Sequence, residues 1–175
     1  MVYPIVLYGN PILREISLDI PLYSNVSNII NKIQKTLNNC SFGVGLAANQ
    51  ININSQIFIV NINYENYIFN QVFINPNIIL KSKEANIFEE GCLSLPNITE
   101  NIERSNLIRI EFYDENWNYH RKDYKGLESR IIQHEYDHTN GKMFVDHLIP
   151  IKKRIINNQL NQIIKNKFDV NYKTN

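Results

Sequence analysis

The chain has only two cysteines, Cys40 and Cys92, among 175 residues. That is too few for a disulfide scaffold in a chain long enough to build an apolar core, so each reads as a free thiol or a ligand. Charge of one sign is missing too: 18 Lys and Arg stand against 17 Asp and Glu, a net +1, which argues against the positive field of a DNA-binding protein. No apolar run approaches the roughly 20 residues of a membrane-spanning helix, so no membrane partner is expected. The opening MVYPIVLYGNPILREI has a short apolar run broken by Pro4, Gly9 and Pro11. It lacks the basic front and small-residue cleavage site of a signal peptide. The expectation is a cytoplasmic protein, or an organellar one whose targeting segment has been removed. Neither repeat nor linker interrupts the chain, and its length predicts one domain over residues 1–175.

What is abundant is asparagine, roughly one residue in six, with isoleucine and lysine also over-used. These residues have AT-rich codons, and the asparagines are dispersed rather than in tracts, which reads as coding bias and not as a prion-like segment. Residues 24–39, SNVSNIINKIQKTLNN, place Val26, Ile29, Ile30, Ile33 and Leu37 at helical spacing with Ser24 or Ser27 as N-cap. QIFIVNI, YIFNQVFINP, IIL and NLIRIEFYD are short, rich in Ile, Val, Phe and Tyr, and bounded by Asn, Pro and Asp, so they read as strands. A second helix is predicted from Gly126 to Thr139, stopped by Asn140-Gly141. A third follows Pro150, with Ile151, Ile155, Ile156, Leu160, Ile163 and Ile164 as its apolar stripe. Helix, strands, then two helices predicts an α+β fold.

Within the second helix lies QHEYDHTNG. His134 and His138 are four residues apart and project from one face, with Glu135 beside the first: two metal ligands and a neighbouring base. A catalytic zinc-type site takes three protein ligands, and several residues compete to be the third. A metzincin-type third histidine would fall at position 144, which is Phe144. A thermolysin-like site needs a later glutamate, and none follows Glu135. His147 lies just beyond the helix, and Asp169 lies in a polar tail expected to fray. Upstream, EEGCLSLP offers Cys92, whose thiolate would be a strong ligand, although a free cysteine is more often a buried small hydrophobe. Cys40 fits that plainer role. A third stretch, GVGLAANQ at Gly43–Gln50, is small-residue-rich and reads as a loop whose backbone approaches a ligand. It lacks the spacing of a phosphate or dinucleotide loop.

Taken together, GVGLAANQ, EGCLS and QHEYDHTNG resemble the three signatures of the peptide deformylase family, GxGLAAxQ, EGCLS and QHExDHLxG, in order and approximate spacing. GNPILR at Gly9–Arg14 resembles the family's opening. Thr139 departs from the usual leucine, outside the presumed ligand set.

The resemblance implies small antiparallel or mixed sheets packed around a central metal-binding helix, with N- and C-terminal helices. It implies hydrolysis of the N-formyl group from the initiator methionine of nascent polypeptides, releasing formate. By the same resemblance Cys92, His134 and His138 hold one divalent metal, Fe2+ in cells, with Zn2+, Ni2+ or Co2+ able to occupy the same ligands. Glu135 is the implied acid–base residue, and the Gln50 amide and Leu93 N–H stabilise the developing oxyanion. Backbone at Val44, Gly45 and Gly91 would hold the peptide. Val44, Phe88, Leu127, Ile131 and the His134 ring would surround the methionine, and Glu90, Arg104 and Asp137 would brace the ligands. Family members from bacteria also suggest ribosome docking through the last helix, which carries Lys152, Lys153, Arg154, Lys165 and Lys167. The plainer reading of those cations is a solvated helix face. The rival functions are another HExxH metallopeptidase and a non-catalytic peptide-binding module of the same fold.

Overall fold

The computed structural model describes residues 2–41, 43–64 and 67–175. Its elements are α1 (Ser27–Leu37), β1 (Gly45–Ala47), β2 (Ile57–Tyr64), β3 (Tyr67–Lys81), β4 (Ala85–Cys92), β5 (Leu95–Ser105), β6 (Leu107–Tyr113), β7 (Tyr119–Lys125), α2 (Gly126–Thr139) and α3 (Pro150–Ile164). Short 3-10 turns occupy Pro11–Arg14, Ala48–Ile51 and Phe144–His147. The α+β expectation holds: β1, β2, β3, β6 and β7 form one five-stranded sheet in the order β1-β2-β3-β6-β7, and β4 and β5 form a separate hairpin sheet. Every paired neighbour is antiparallel.

The central strands explain where the core sits. In β2, Ile57, Phe58, Ile59 and Val60 are all buried, because successive side chains point to opposite faces and both faces are covered. Phe58, Val60 and Phe73 join one apolar cluster with Ile108, Ile110, Phe112, Ile131 and Ile132. Ile57, Ile59, Val72 and Ile74 join the other, with Ile33, Leu37, Leu95, Phe144, Ile156 and Leu160. Thus α2 packs on one face of the sheet, and α1 and α3 contribute to the cluster on the other.

Several boundaries differ from the sequence expectation for identifiable reasons. α1 begins at Ser27 with Val26 as its N-cap and no side-chain cap, while the Asn25 side chain accepts from the Ser27 N–H. The two apolar runs around Pro76 belong to one strand, β3. The chain passes the proline through Asn75 at φ 48 and an irregularity in register between Ile74 and Asn77, as expected where a residue cannot donate to the ladder. GVGLAANQ is not a plain loop: Gly45–Ala47 pair with β2, and Ala48–Ile51 turn tightly. The stripe on α3 is narrower than its isoleucines suggested. Ile156, Leu160 and Ile163 are buried, whereas Ile151, Ile155 and Ile164 are exposed, since a helix lying on one surface buries only the i, i+4, i+7 face. The segment after α3 does not simply fray, because it forms a parallel bridge between Ile5 and Thr174.

The C-terminal end of α2 is clamped. Gly141, at φ 68, ends the helix where an added Cβ would lie 2.5 Å from the Arg14 carbonyl oxygen. The Ser17 N–H donates to the Thr139 carbonyl at 2.9 Å. No helix among the described residues is long and apolar enough to cross a membrane.

Candidate active site

α2 is unusual for a core helix. Besides Ile131 and Ile132 it buries Arg130, Gln133, His134, Glu135, Asp137 and His138. Buried polar groups need partners, and two arginines and the β4–β5 hairpin supply them. Glu90, on β4, accepts from Arg104 Nε at 2.6 Å and Nη2 at 3.0 Å, and from Arg130 Nη1 at 2.6 Å. Asp137 accepts from Arg104 Nη1 and from His147 Nε2, each at 2.7 Å. Burial opposes ionisation of Glu90, but His134 and Arg104 outweigh it and hold its carboxyl at about 2. For Asp137 burial again opposes, and His147 with Arg104 holds the carboxyl well below its ordinary range.

This network fixes the ligand geometry. His134 Nδ1 lies 3.0 Å from Glu90 Oε2, and because Glu90 is an anion that can only accept, Nδ1 carries the proton and Nε2 is free. Cys92 Sγ lies 3.2 Å from His138 Nε2. Donor atoms of Cys92, His134 and His138 all lie within 4.8 Å of one another. Burial would raise the Cys92 thiol, but His138 and His134 beside it pull it down to about 5, which favours the thiolate. Two imidazoles and a thiolate converging on one point fit a divalent metal. Of the other residues weighed as the third donor, His147 bonds to Asp137. Asp169 lines the cleft but is outside the converging set. Cys40 is buried, and its thiol donates to the Thr36 carbonyl.

Two further side chains line the same cleft as Cys92 and His134. Glu135 is 4% exposed, and its Oε2 has no hydrogen-bond partner; burial is the main reason its carboxyl rises to about 7. Gln50 is oriented by its neighbours. Its Oε1 accepts from the Ala47 N–H at 2.9 Å, so the NH2 must face the other way, 3.1 Å from Ser94 Oγ and 3.5 Å from Cys92 Sγ. Leu93 lies in the turn between β4 and β5, directly after Cys92.

A cleft of about 670 Å³ opens over these groups. Val44, Gly45, Phe88, Gly91, Leu127 and Ile131, singled out in the sequence, all line it beside Gln50, Cys92, Leu93, His134 and Glu135. Ile131 is buried, while Phe88 and Leu127 are 62% and 53% exposed. Large apolar side chains left open beside buried ionisable groups suit an apolar ligand. β1 is an edge strand and β4 belongs to a two-stranded sheet, so each has a backbone edge that no neighbouring strand occupies.

Sequence reasoning missed four contributors. Arg130 joins Glu90 to the Asn86 and Ile102 carbonyls. Asn49 Nδ2 donates to the His138 carbonyl at 2.6 Å. Ser94 receives Gln50, and the Tyr172 hydroxyl donates to the Leu93 carbonyl. The first three lie inside or near the motifs, and their burial was the missing signal; Tyr172 has no local signature.

An HExxH helix whose histidines are completed by a cysteine from a separate hairpin defines a metal-dependent hydrolase class. Comparison with known proteins narrows this. A family model for polypeptide deformylase matches residues 2–154. The chain is 45% identical over 156 residues to the peptide deformylase of Karelsulcia muelleri, covering 87% of this chain and 81% of that one. It is 40% identical to that of Christiangramia forsetii, covering 99% of this chain and 95% of that one. Among solved structures, a Plasmodium falciparum peptide deformylase superposes with TM-score 0.85 at 37% identity, covering 93% of this chain and 95% of that one. A peptide deformylase from Acinetobacter baumannii with Met-Ala-Ser bound gives TM-score 0.80 at 29% identity, covering 85% and 99%. The chain belongs to the polypeptide deformylase family. It is accordingly a metal-dependent enzyme that removes N-formyl groups from peptides.

Proposed function

We propose that the substrate is the formyl-methionine at the start of newly made polypeptides, and that Cys92, His134 and His138 hold the metal. The observation that carries this reading is the convergence of those three donors beside an apolar cleft that Glu135, with an unpartnered oxygen, and Gln50 also line. A divalent metal bound there supplies Lewis acidity, lowering the pKa of water and polarising a carbonyl. The thiolate makes the donor set softer than one with a carboxylate, which suits Fe2+ as well as Zn2+, Ni2+ or Co2+, and Fe2+ is proposed as the cellular ion.

Glu135 takes the proton from the attacking water as the new C–O bond forms, then delivers it to the amine nitrogen as the C–N bond breaks. Its burial favours proton transfer near neutral pH. The Gln50 NH2 and the Leu93 N–H donate to the formyl oxygen as it gains charge. Phe88, Leu127, Ile131 and Val44 receive the methionine side chain. The backbone edges at Val44, Gly45 and Gly91 pair with the extended peptide, leaving later side chains unread. Glu90, Arg104 and Asp137 keep the two histidines in register.

Ribosome docking through α3, and with it a cytoplasmic or organellar site of action, is also proposed. Lys152 is engaged with Glu100 at 2.7 Å and Lys153 with the Asp146 carbonyl. Arg154, beside exposed Ile151 and Ile155, and Lys165 and Lys167, just past the helix end beside exposed Ile164, are the cations proposed to meet RNA phosphate. The functional reading is tested by offering formyl-Met-Ala and Met-Ala side by side. Loss of formyl only, with the Met–Ala bond intact, supports it, and cleavage of that bond would indicate a peptidase.

A further inference from the structure

The segment after α3 returns to the catalytic cleft. Phe168 and Tyr172 pack against the larger apolar cluster. Asp169, Val170, Asn171 and Tyr172 line the same cleft as Gln50, Cys92 and Glu135. The Tyr172 hydroxyl donates to the Leu93 carbonyl at 2.8 Å, and Asn97 Nδ2 donates to the Asp169 carbonyl at 3.3 Å. One residue further on, the Ile5 N–H donates to the Lys173 carbonyl at 2.8 Å, and the Asn175 N–H returns to the Ile5 carbonyl at 3.3 Å. The Val6 N–H then donates to the Gln50 carbonyl at 2.8 Å. The tail is therefore tied directly to Leu93, and through Ile5 and Val6 to Gln50.

The turn after Cys92 is closed by the pairing of Cys92 with Leu95 and by packing of Leu93 on the larger apolar cluster, and hydrogen bonds to its carbonyls complete the restraint. Ser94 is fixed by the Tyr8 N–H on its carbonyl at 2.9 Å and by Gln50 on its hydroxyl. Tyr172 anchors the intervening residue. We infer that Tyr172 is a positioning residue for the hydrolysis: through the Leu93 carbonyl it fixes the turn that presents the Leu93 N–H, and residues 169–172 close one wall of the peptide cleft. This rests on the proposed role of Leu93 as a donor to the formyl oxygen. Such a donor accelerates the reaction only if it is already in place when charge develops, and it adds little to binding of the uncharged ground state. Loosening it therefore lowers kcat more than it raises KM.

The test compares wild type, Tyr172→Phe and a chain ended at Lys167, each loaded with the same metal, for kcat and KM on formyl-Met-Ala-Ser. Tyr172→Phe keeps the ring against the core and removes only the donor. Its kcat is expected to fall about tenfold while KM stays within about twofold, the pattern of a lost transition-state interaction. The shortened chain is expected to show the same fall with an added rise in KM, because the cleft wall is gone. A Tyr172→Phe enzyme with wild-type kcat, or with a raised KM alone, overturns the inference while leaving the deformylase reading intact. Wild type that releases no formate overturns both.

Discussion

Gly45 and Glu135 occupy one space: a Cβ built on Gly45 would lie 2.5 Å from Glu135 Oε1 and 2.8 Å from its Cδ and Cγ. The edge strand β1 and the helix α2 can approach this closely only because residue 45 has no side chain. Glu135 is buried against this backbone, so a side chain at residue 45 would push its carboxylate out of place toward the cleft. Gly45→Ala is expected to lower kcat/KM by about 100-fold through displacement of the proposed base, with metal content unchanged. Steady-state kinetics beside metal analysis checks this.

Glu90 is the hub of the buried network, accepting from Arg104, Arg130 and His134. Glu90→Gln leaves the buried Arg130 without its anion and Arg104 with Asp137 alone, a loss expected to cost about 3–5 kcal/mol of stability. It also releases the His134 ring, so metal affinity should drop about 10–100-fold. Denaturant unfolding and competitive metal titration measure the two effects separately.

Asp114, in the connection between β6 and β7, gives the fold an acid-sensitive point. Burial would raise its carboxyl, but His120, Asn118 and the Asn118 and Asn116 backbone N–H groups hold it at about 2, against an ordinary 3.8. Because the folded value is depressed, its contribution is fully present above the unfolded value and is lost as pH falls through the folded one. Between about pH 4 and about pH 2 the melting temperature of wild type should fall more steeply than that of Asp114→Asn, which starts lower. Parallel slopes would remove Asp114 from the acid response.

Metal removal supplies another expectation. Chelation should abolish formate release, and adding Fe2+ without oxygen should restore it. A verified iron form should lose activity in air through oxidation of the metal or of Cys92. Unchanged activity after prolonged aeration would count against iron as the working ion.

How much of this was legible in the sequence depended on how the signal is carried. The helix at Gly126–Thr139 and its two histidines were readable because i, i+4 spacing and the Asn140-Gly141 stop are local. β6 was readable because Ile108, Ile110 and Phe112 alternate with outward residues. β7 was not, since it is an edge strand in which only Tyr124 is buried, and it therefore shows no apolar rhythm. β1 was hidden because Gly45, Leu46 and Ala47 are buried together and give no alternation. For the site, the motifs delivered the residues but not their aim. The direction of the Gln50 amide follows from the Ala47 N–H, and the brace on Leu93 comes from Tyr172, 79 residues away, which no spacing rule reaches.

The most direct test is anaerobic release of formate from formyl-Met-Ala-Ser by the Fe2+-loaded protein, measured beside metal-free protein and Glu135→Ala. Formate is expected from the loaded wild type alone, with Glu135→Ala retaining metal and losing most turnover. Folded, metal-loaded wild type that releases no formate would contradict the account, and near-normal turnover by Glu135→Ala would remove that residue from the mechanism.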